Sequence, residues 1–193
     1  MQWLRQIRGV VRRLRRDTTG SNLLEFAVAL PLLVVFVIGM FDFGTAFNLK
    51  QKLNNAVRGA ARFGSSLPTD DLTQAVPSSV LGMRDDVERY LISAQINDCA
   101  LGSAVATPSG TLGWTFTANS GCPGTLTLTI ERGYSFPVSV QNVPNPVNVI
   151  STHVTISYPF AWHFNNVIQL LVKGATYAGV TQISTDAIVP NPN

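Results

Sequence analysis

The sequence predicts an α+β protein: a long N-terminal transmembrane helix, then a small helix and an antiparallel β-sheet domain outside the cytoplasm. Three observations lead there. One strongly apolar run, residues 23–47, follows a cluster of arginines. Helical spacing of apolar residues continues beyond that run. After Cys99 the pattern changes to alternation broken by turn residues, and helices followed by strands point to a segregated α+β arrangement. The 193 residues leave room for one folded domain once a span is subtracted. Three segments result: a basic leader over 1–20, a long helix over 21–64 with its span at about 23–47, and an extracytoplasmic domain over 65–193.

The leader holds Arg5, Arg8, Arg12, Arg13, Arg15 and Arg16 against one acid, Asp17. It carries a net +5, which leaves −2 for the rest of a chain whose total is +3. The sequence pI near 9.1 is therefore a property of the leader. Arginines placed before a span set topology, so they argue for a cytoplasmic N-terminus and an outer domain after about Lys50. No nucleic-acid partner is expected from them.

Glu25 and Asp42 bracket sixteen residues without a charge, 26–41. They cover about 24 Å as a helix, and about 30 Å with the flanking half-turns, which suits one crossing of a lipid bilayer. The competing reading is a buried core helix. Pro31 lies inside the run. It removes a donor and crowds the carbonyl one turn earlier, so a kink is expected near 27–30.

Beyond the run, Leu49, Leu53, Val57, Ala60 and Phe63 or Gly64 recur every three to four residues. Lys50, Lys52, Asn54, Arg58 and Arg62 fall largely between them. One helix over 21–64 would be about 66 Å long, with an amphipathic second half. Ser65-Ser66-Leu67-Pro68 supplies a stop. A second helix is expected over 77–97, with Val80, Met83 or Arg84, Val87, Leu91 and Ala94 as its apolar stripe. Asp85, Asp86, Glu88 and Arg89 form its solvated side, without the ligand spacing of a calcium loop.

Residues 111–118, 125–132 and 147–158 alternate as half-buried strands do. Trp114 and Phe116 share one face of the first, Leu126, Leu128 and Ile130 one face of the second. Val149, His153 or Val154, and Ile156 mark the third. The Ser120-Gly121-Cys122-Pro123-Gly124 stretch is a turn between the first two. Residues 134–140 and 176–188 are weaker strand candidates, and 165–172 reads as a short helix.

Cys99 and Cys122 both fall on the outer side, where a pair forms a disulfide more readily than a metal site. The alternative is two buried unpaired thiols. The sequence has no Gly-x-Ser-x-Gly elbow, no phosphate-cradling glycine loop and no His-Glu-x-x-His. His153 and His163 read as structural, and Trp114, Phe116, Tyr158, Phe160 and Trp162 as core. No enzyme activity, metal or cofactor is expected.

Glu25 is unexplained by an anchor alone. A charge at the membrane centre costs about 2.5–3.5 kcal/mol. The residues around it, Gly20-Ser21-Asn22-Leu23-Leu24-Glu25-Phe26, resemble the cleavage site of a type IV prepilin. The wider segment resembles the TadE family of Tad pilus assembly proteins. It carries that pattern through Pro31, then Gly39-Met40-Phe41-Asp42-Phe43-Gly44, then residues 53–63. The likeness covers about residues 16–64 and fades over the outer domain, where the Pro-Asn tail replaces the family's short polar end.

The resemblance implies a pseudopilin or minor pilin of a tight-adherence system, serving Flp pili in adhesion and biofilm formation. It implies a prepilin peptidase that recognises Arg15, Arg16 and Gly20 and cuts before Ser21. It also implies other Tad pilins or pseudopilins and an inner-membrane assembly platform as partners. Cutting would place an amine on Ser21, one helical turn before Glu25, where the two charges can meet. The helix dipole also favours a carboxylate there. Within a bundle, Glu25 could instead take the amine of a neighbouring subunit, with Pro31 and Asp42 also on the assembly helix. The competing reading of Glu25 is snorkelling to the headgroups. Two further functional readings stand beside the pilin one. The first is an uncut, membrane-anchored binding or adhesion domain. The second is release by ordinary signal peptidase after Gly44-Thr45-Ala46.

Overall fold

The computed structural model describes residues 18–139, 141, 145–163 and 179–192. Arg15, Arg16 and the helix expected over 165–172 lie outside the described residues. The chain divides into two compact units, Met1–Asp42 with His163–Tyr177 and Phe43–Trp162 with Ala178–Asn193.

In the first unit the main described element is the N-terminal part of helix α1 (Thr18–Ser66). Apolar side chains surround it at every helical angle between Phe26 and Phe41, the pattern of a helix whose solvent is not water. Leu24, Phe26, Leu32, Phe36 and Met40 are all exposed. The helix is long and apolar enough to cross a membrane: its most apolar 18-residue window has mean hydropathy 2.5, and none of that window is buried. A single N-terminal anchor is what these features suggest. Helix α1 runs unbroken through Pro31.

The second unit contains the rest of α1 and a different kind of surface. Leu53, Ala56, Val57, Ala60, Ala61 and Gly64 are buried, while Phe63 is exposed, which decides between the two candidates for the end of the stripe. Small residues let another backbone approach. A Cβ on Gly64 would strike the Met83 sulfur and come within 3.1 Å of Thr152 Cγ2. Helix α2 (Ser78–Ser93) buries Val80, Met83, Val87 and Leu91. Its first turn is capped from outside, by the Asp71 carboxylate accepting from Ser79 N at 2.7 Å and from Ser79 Oγ at 3.0 Å. The helix stops short of the expected Asn97. Gln95 turns left-handed at φ 58°, and Ile96 N reaches back to Leu91 O at 2.9 Å, a helix-terminating reversal.

Five strands follow: β1 (Ala106–Pro108), β2 (Gly113–Ala118), β3 (Leu126–Val138), β4 (Val147–Ala161) and β5 (Val180–Pro190). They pair antiparallel in the order β1-β2-β3-β4-β5, a simple meander. The α+β reading is thus borne out. One sheet face carries Trp114, Phe116, Leu126, Leu128, Ile130, Val154, Ile156 and Tyr158 into the same core as the buried helix residues. The other face carries Thr115, Thr129, Ser157 and Ser184, which hydrogen-bond across strands. Val154, not His153, is the inward residue of β4.

Three strand expectations are adjusted. The two expectations over 125–132 and 134–140 merge into one strand, β3 (Leu126–Val138), bent by a bulge, and residue 140 lies outside the described residues. Glu131 pairs with His153 but Tyr134 with Ser151, so Arg132 and Gly133 face the single residue Thr152. The amide displaced by the bulge is satisfied, since Arg132 N donates to Leu112 O at 2.8 Å. Strand β5 (Val180–Pro190) runs two residues past 188, and residues 176–178 of that expectation lie outside the described residues. The three-residue β1 has no counterpart in the sequence reading.

Candidate processing and assembly segment

Helix α1 starts at Thr18, which puts the Gly20–Ser21 bond in its first turn. The amides of a first turn lack intrahelical partners, and helix ends fray before the interior does. Glu25 lies four residues beyond Ser21, one turn along the helix. Its side chain is exposed and has no polar partner among the described residues. Phe26 beside it is 63% exposed. Pro31 sits one and a half turns further on, also exposed.

Asp42 is different. It is 4% exposed, and its Oδ1 lies 3.2 Å from Nδ1 of His163. The sequence reading treats Asp42 as interfacial and His163 as structural, without bringing them together. They are 121 residues apart, and no local pattern connects them.

The predicted cystine is present: Cys99 and Cys122 are bonded, with their Cα atoms 5.4 Å apart. Cys99 and Ala100 sit in the left-handed region at φ 56° and 61°, a strained turn for side-chain-bearing residues. Asn97 holds this turn in place. Its Oδ1 accepts from Cys99 N at 2.9 Å, and its Nδ2 donates to Gly121 O at 2.7 Å. From β4 the Tyr158 hydroxyl donates to Asn97 O at 2.9 Å. Burial, and secondarily the charge of Asp98, pushes the Tyr158 phenol above its ordinary pKa.

His153 lies on the outer sheet face, with Nδ1 2.9 Å from Glu131 Oε2 and Nε2 3.1 Å from Asp186 Oδ2. It ties β3, β4 and β5 together by side chains. Arg132 carries no site signal in the sequence. It is 1% exposed, on the core face of β3. Its Nη2 donates to Leu67 O at 3.0 Å, whereas Nε and Nη1 have no partner among the described residues. Burial lowers its pKa, and the Asp71 carboxylate opposes that shift.

These features sort along the chain. The exposed Glu25 and the bracketed apolar run lie on one contiguous segment, and that segment has known counterparts. Residues 20–62 match the family model for TadE-like protein. The N-terminal segment is similar to that family. Comparison with curated proteins and with solved structures gave no match. The TadE-like segment includes Gly20, Ser21, Glu25, Phe26, Pro31 and Asp42, and also the packed residues Leu53, Val57 and Ala60. It thus takes in both the uncovered and the covered parts of α1. Cys99, Cys122, His153 and Arg132 all fall outside it.

Proposed function

We propose that this chain is a TadE-like pseudopilin or minor pilin that takes part in assembling Tad (Flp) pili, after a prepilin peptidase cuts it at Gly20–Ser21. The observation that carries the reading is the TadE-like match, which begins at Gly20 and runs through the uncovered apolar helix. The leader would stay cytoplasmic and the sheet domain would face outward, by the positive-inside rule. Arg15 and Arg16 would mark the leader for the peptidase. The role is structural rather than catalytic, and its partners are the peptidase, other Tad pilins and the inner-membrane assembly platform.

The chemistry of the cut fits the helix. Hydrolysis of Gly20–Ser21 removes the +5 leader and leaves an ammonium on Ser21. That charge lies one turn from Glu25, near the helix end where the dipole favours a carboxylate. In a helix bundle the same ammonium can reach the Glu25 of a neighbour. Either pairing offsets the cost of keeping Glu25 beside hydrocarbon.

The test is the intact mass of the protein recovered from its native host. The expected mature chain starts at Ser21, and Gly20→Arg should accumulate uncut. A full-length wild-type mass would favour the uncut anchored binding domain, and a chain starting at Phe47 would favour ordinary secretion. Normal maturation of Gly20→Arg would also defeat the proposal.

A further inference from the structure

An aromatic cluster begins where the apolar run ends. Phe43 and Phe47 are 66% and 69% exposed, and Lys50 is exposed beside them. Spacings of four and three residues put the three on one side of α1. They line an open groove with Trp162 and Ile183. The Phe43 and Trp162 rings meet edge-on at 5.3 Å, and Trp162 meets Phe160 at 5.0 Å. The Trp162 indole N–H donates to Thr181 Oγ1 at 2.7 Å, so its polar edge is satisfied while its apolar body lies toward the groove. Exposed rings of this size need a cover, because a large apolar patch on a folded domain marks an interaction surface.

We propose that this patch seats the folded domain on the lipid headgroup layer of the membrane that α1 crosses. The inference rests on the membrane reading of α1 and not on the cut after Gly20. Distance along the helix supports a lipid cover. The uncharged run 26–41 occupies about 24 Å of a hydrocarbon core about 30 Å thick, so the core ends about 3 Å past Phe41, level with Phe43. The headgroup layer adds about 5–7 Å on each side, which reaches Phe47, and Lys50 comes just beyond. The indole of Trp162 suits this depth, with an apolar body and a polar edge, and Phe43 and Phe47 add apolar area at the hydrocarbon side. Lys50 complements headgroup phosphates and can extend its ammonium to them from an apolar stem. The patch therefore combines rings with a cation in the order that the interface presents hydrocarbon and phosphate.

The structure makes Trp162 its own reporter. Trp114 is 4% exposed, and its N–H is bonded to Ala75 O, so it is out of contact with any lipid. Trp3 lies in the leader and is removed by Trp3→Phe. Full-length Trp3→Phe protein is placed in phosphatidylcholine–phosphatidylglycerol vesicles whose acyl chains carry bromine at shallow or deep positions. The expected result is stronger quenching by shallow than by deep bromines, with the quenched component lost in Trp162→Phe. Lys50→Glu should weaken the shallow quenching. Vesicle flotation in the same samples separates two failures. Protein that does not float overturns the membrane reading of α1 and this inference together. Protein that floats but shows equal emission with every bromolipid overturns the seat alone. Emission shielded from both bromolipid and aqueous acrylamide also overturns it, since a protein surface then covers the patch. Quenching greatest from the deepest bromines overturns the interfacial placement.

Discussion

The two parts of helix α1 differ in a way that hydrophobicity alone does not order. Residues 22–41 are the more apolar, yet Leu24, Phe26, Leu32 and Phe36 are bare. Residues 53–64 carry Arg58 and Arg62, yet Leu53, Val57 and Ala60 are wholly covered. What distinguishes them is arrangement. The later part gathers its apolar side chains on one stripe and keeps them small, with Ala56, Ala60, Ala61 and Gly64 at the contacts. A stripe has a polar side to give to water and a narrow side to give to protein. The earlier part is apolar all round and offers no such division, so lipid rather than a folded partner suits it. The contrast suggests a membrane anchor in the first part of the helix and a protein-packed second part.

Truncating a leucine on each side of that change gives the largest contrast. Leu53 is fully buried, and Leu53→Ala should cost about 2–5 kcal/mol of domain stability through lost burial and the cavity it leaves. Leu32 is 63% exposed, and Leu32→Ala should alter domain stability by less than about 0.5 kcal/mol. Denaturant unfolding of the detergent-solubilised chain, followed by near-UV circular dichroism, measures both. Similar losses at the two positions would erase the distinction.

The domain that covers the later part of α1 is also cross-linked. Opening Cys99–Cys122, which closes 23 residues of sequence, should cost about 3 kcal/mol. The double variant Cys99→Ala/Cys122→Ala and the reduced wild type should melt alike. The helical signal of residues 22–41 should not follow, because nothing in that segment depends on the bond. A wild type indifferent to reductant would show that Asn97 and Tyr158 hold the loop without it.

Tyr158 sharpens the comparison through pH. Its phenol is held above the ordinary pKa of 10.0 by burial and by Asp98. Between these two values the unfolded chain has already lost the proton that the folded chain retains. Its contribution to stability is complete below pH 10 and declines as pH rises through the folded pKa. Tyr158→Phe should lose about 0.5–1.5 kcal/mol at neutral pH with the Asn97 bond, and should flatten the alkaline decline. Melting curves between pH 7 and 11 test this. An alkaline slope identical in the variant would assign it to other groups.

How much of this was legible depended on whether the signal was local. The stripe of α2 and the alternation of β2 and β4 are periodic and could be read directly. The TadE-like segment is contiguous, so Gly20, Glu25 and Asp42 stand out in the sequence itself. Strand β1 is three residues long and shows no period. The bulge at Arg132–Gly133 is a property of register, which only the pairing with β4 reveals. Asp42 and His163 meet across 121 residues. The core placement of Arg132 left a trace: Leu126, Leu128 and Ile130 alternate toward it. A charge in that position reads as the end of a strand, and β3 instead continues to Val138.

Arg132 gives the smallest expected effect and the most discriminating one inside the domain. It is as buried as Leu53, but its charge is poorly compensated: Nε and Nη1 are unpartnered among the described residues, and Asp71 only opposes the fall in its pKa. Burying a charge costs several kcal/mol before any pairing is counted, and replacement by an apolar residue of similar length is often neutral or favourable. Arg132→Met should leave stability within about 1 kcal/mol of wild type, or raise it, despite losing the bond to Leu67 O. Urea unfolding at neutral pH measures the difference. A loss above about 3 kcal/mol would instead show that the guanidinium is well compensated where it lies. Burial in the core would then be worth as much for a cation as for Leu53, and amphipathic arrangement alone would not explain what holds the covered part of α1.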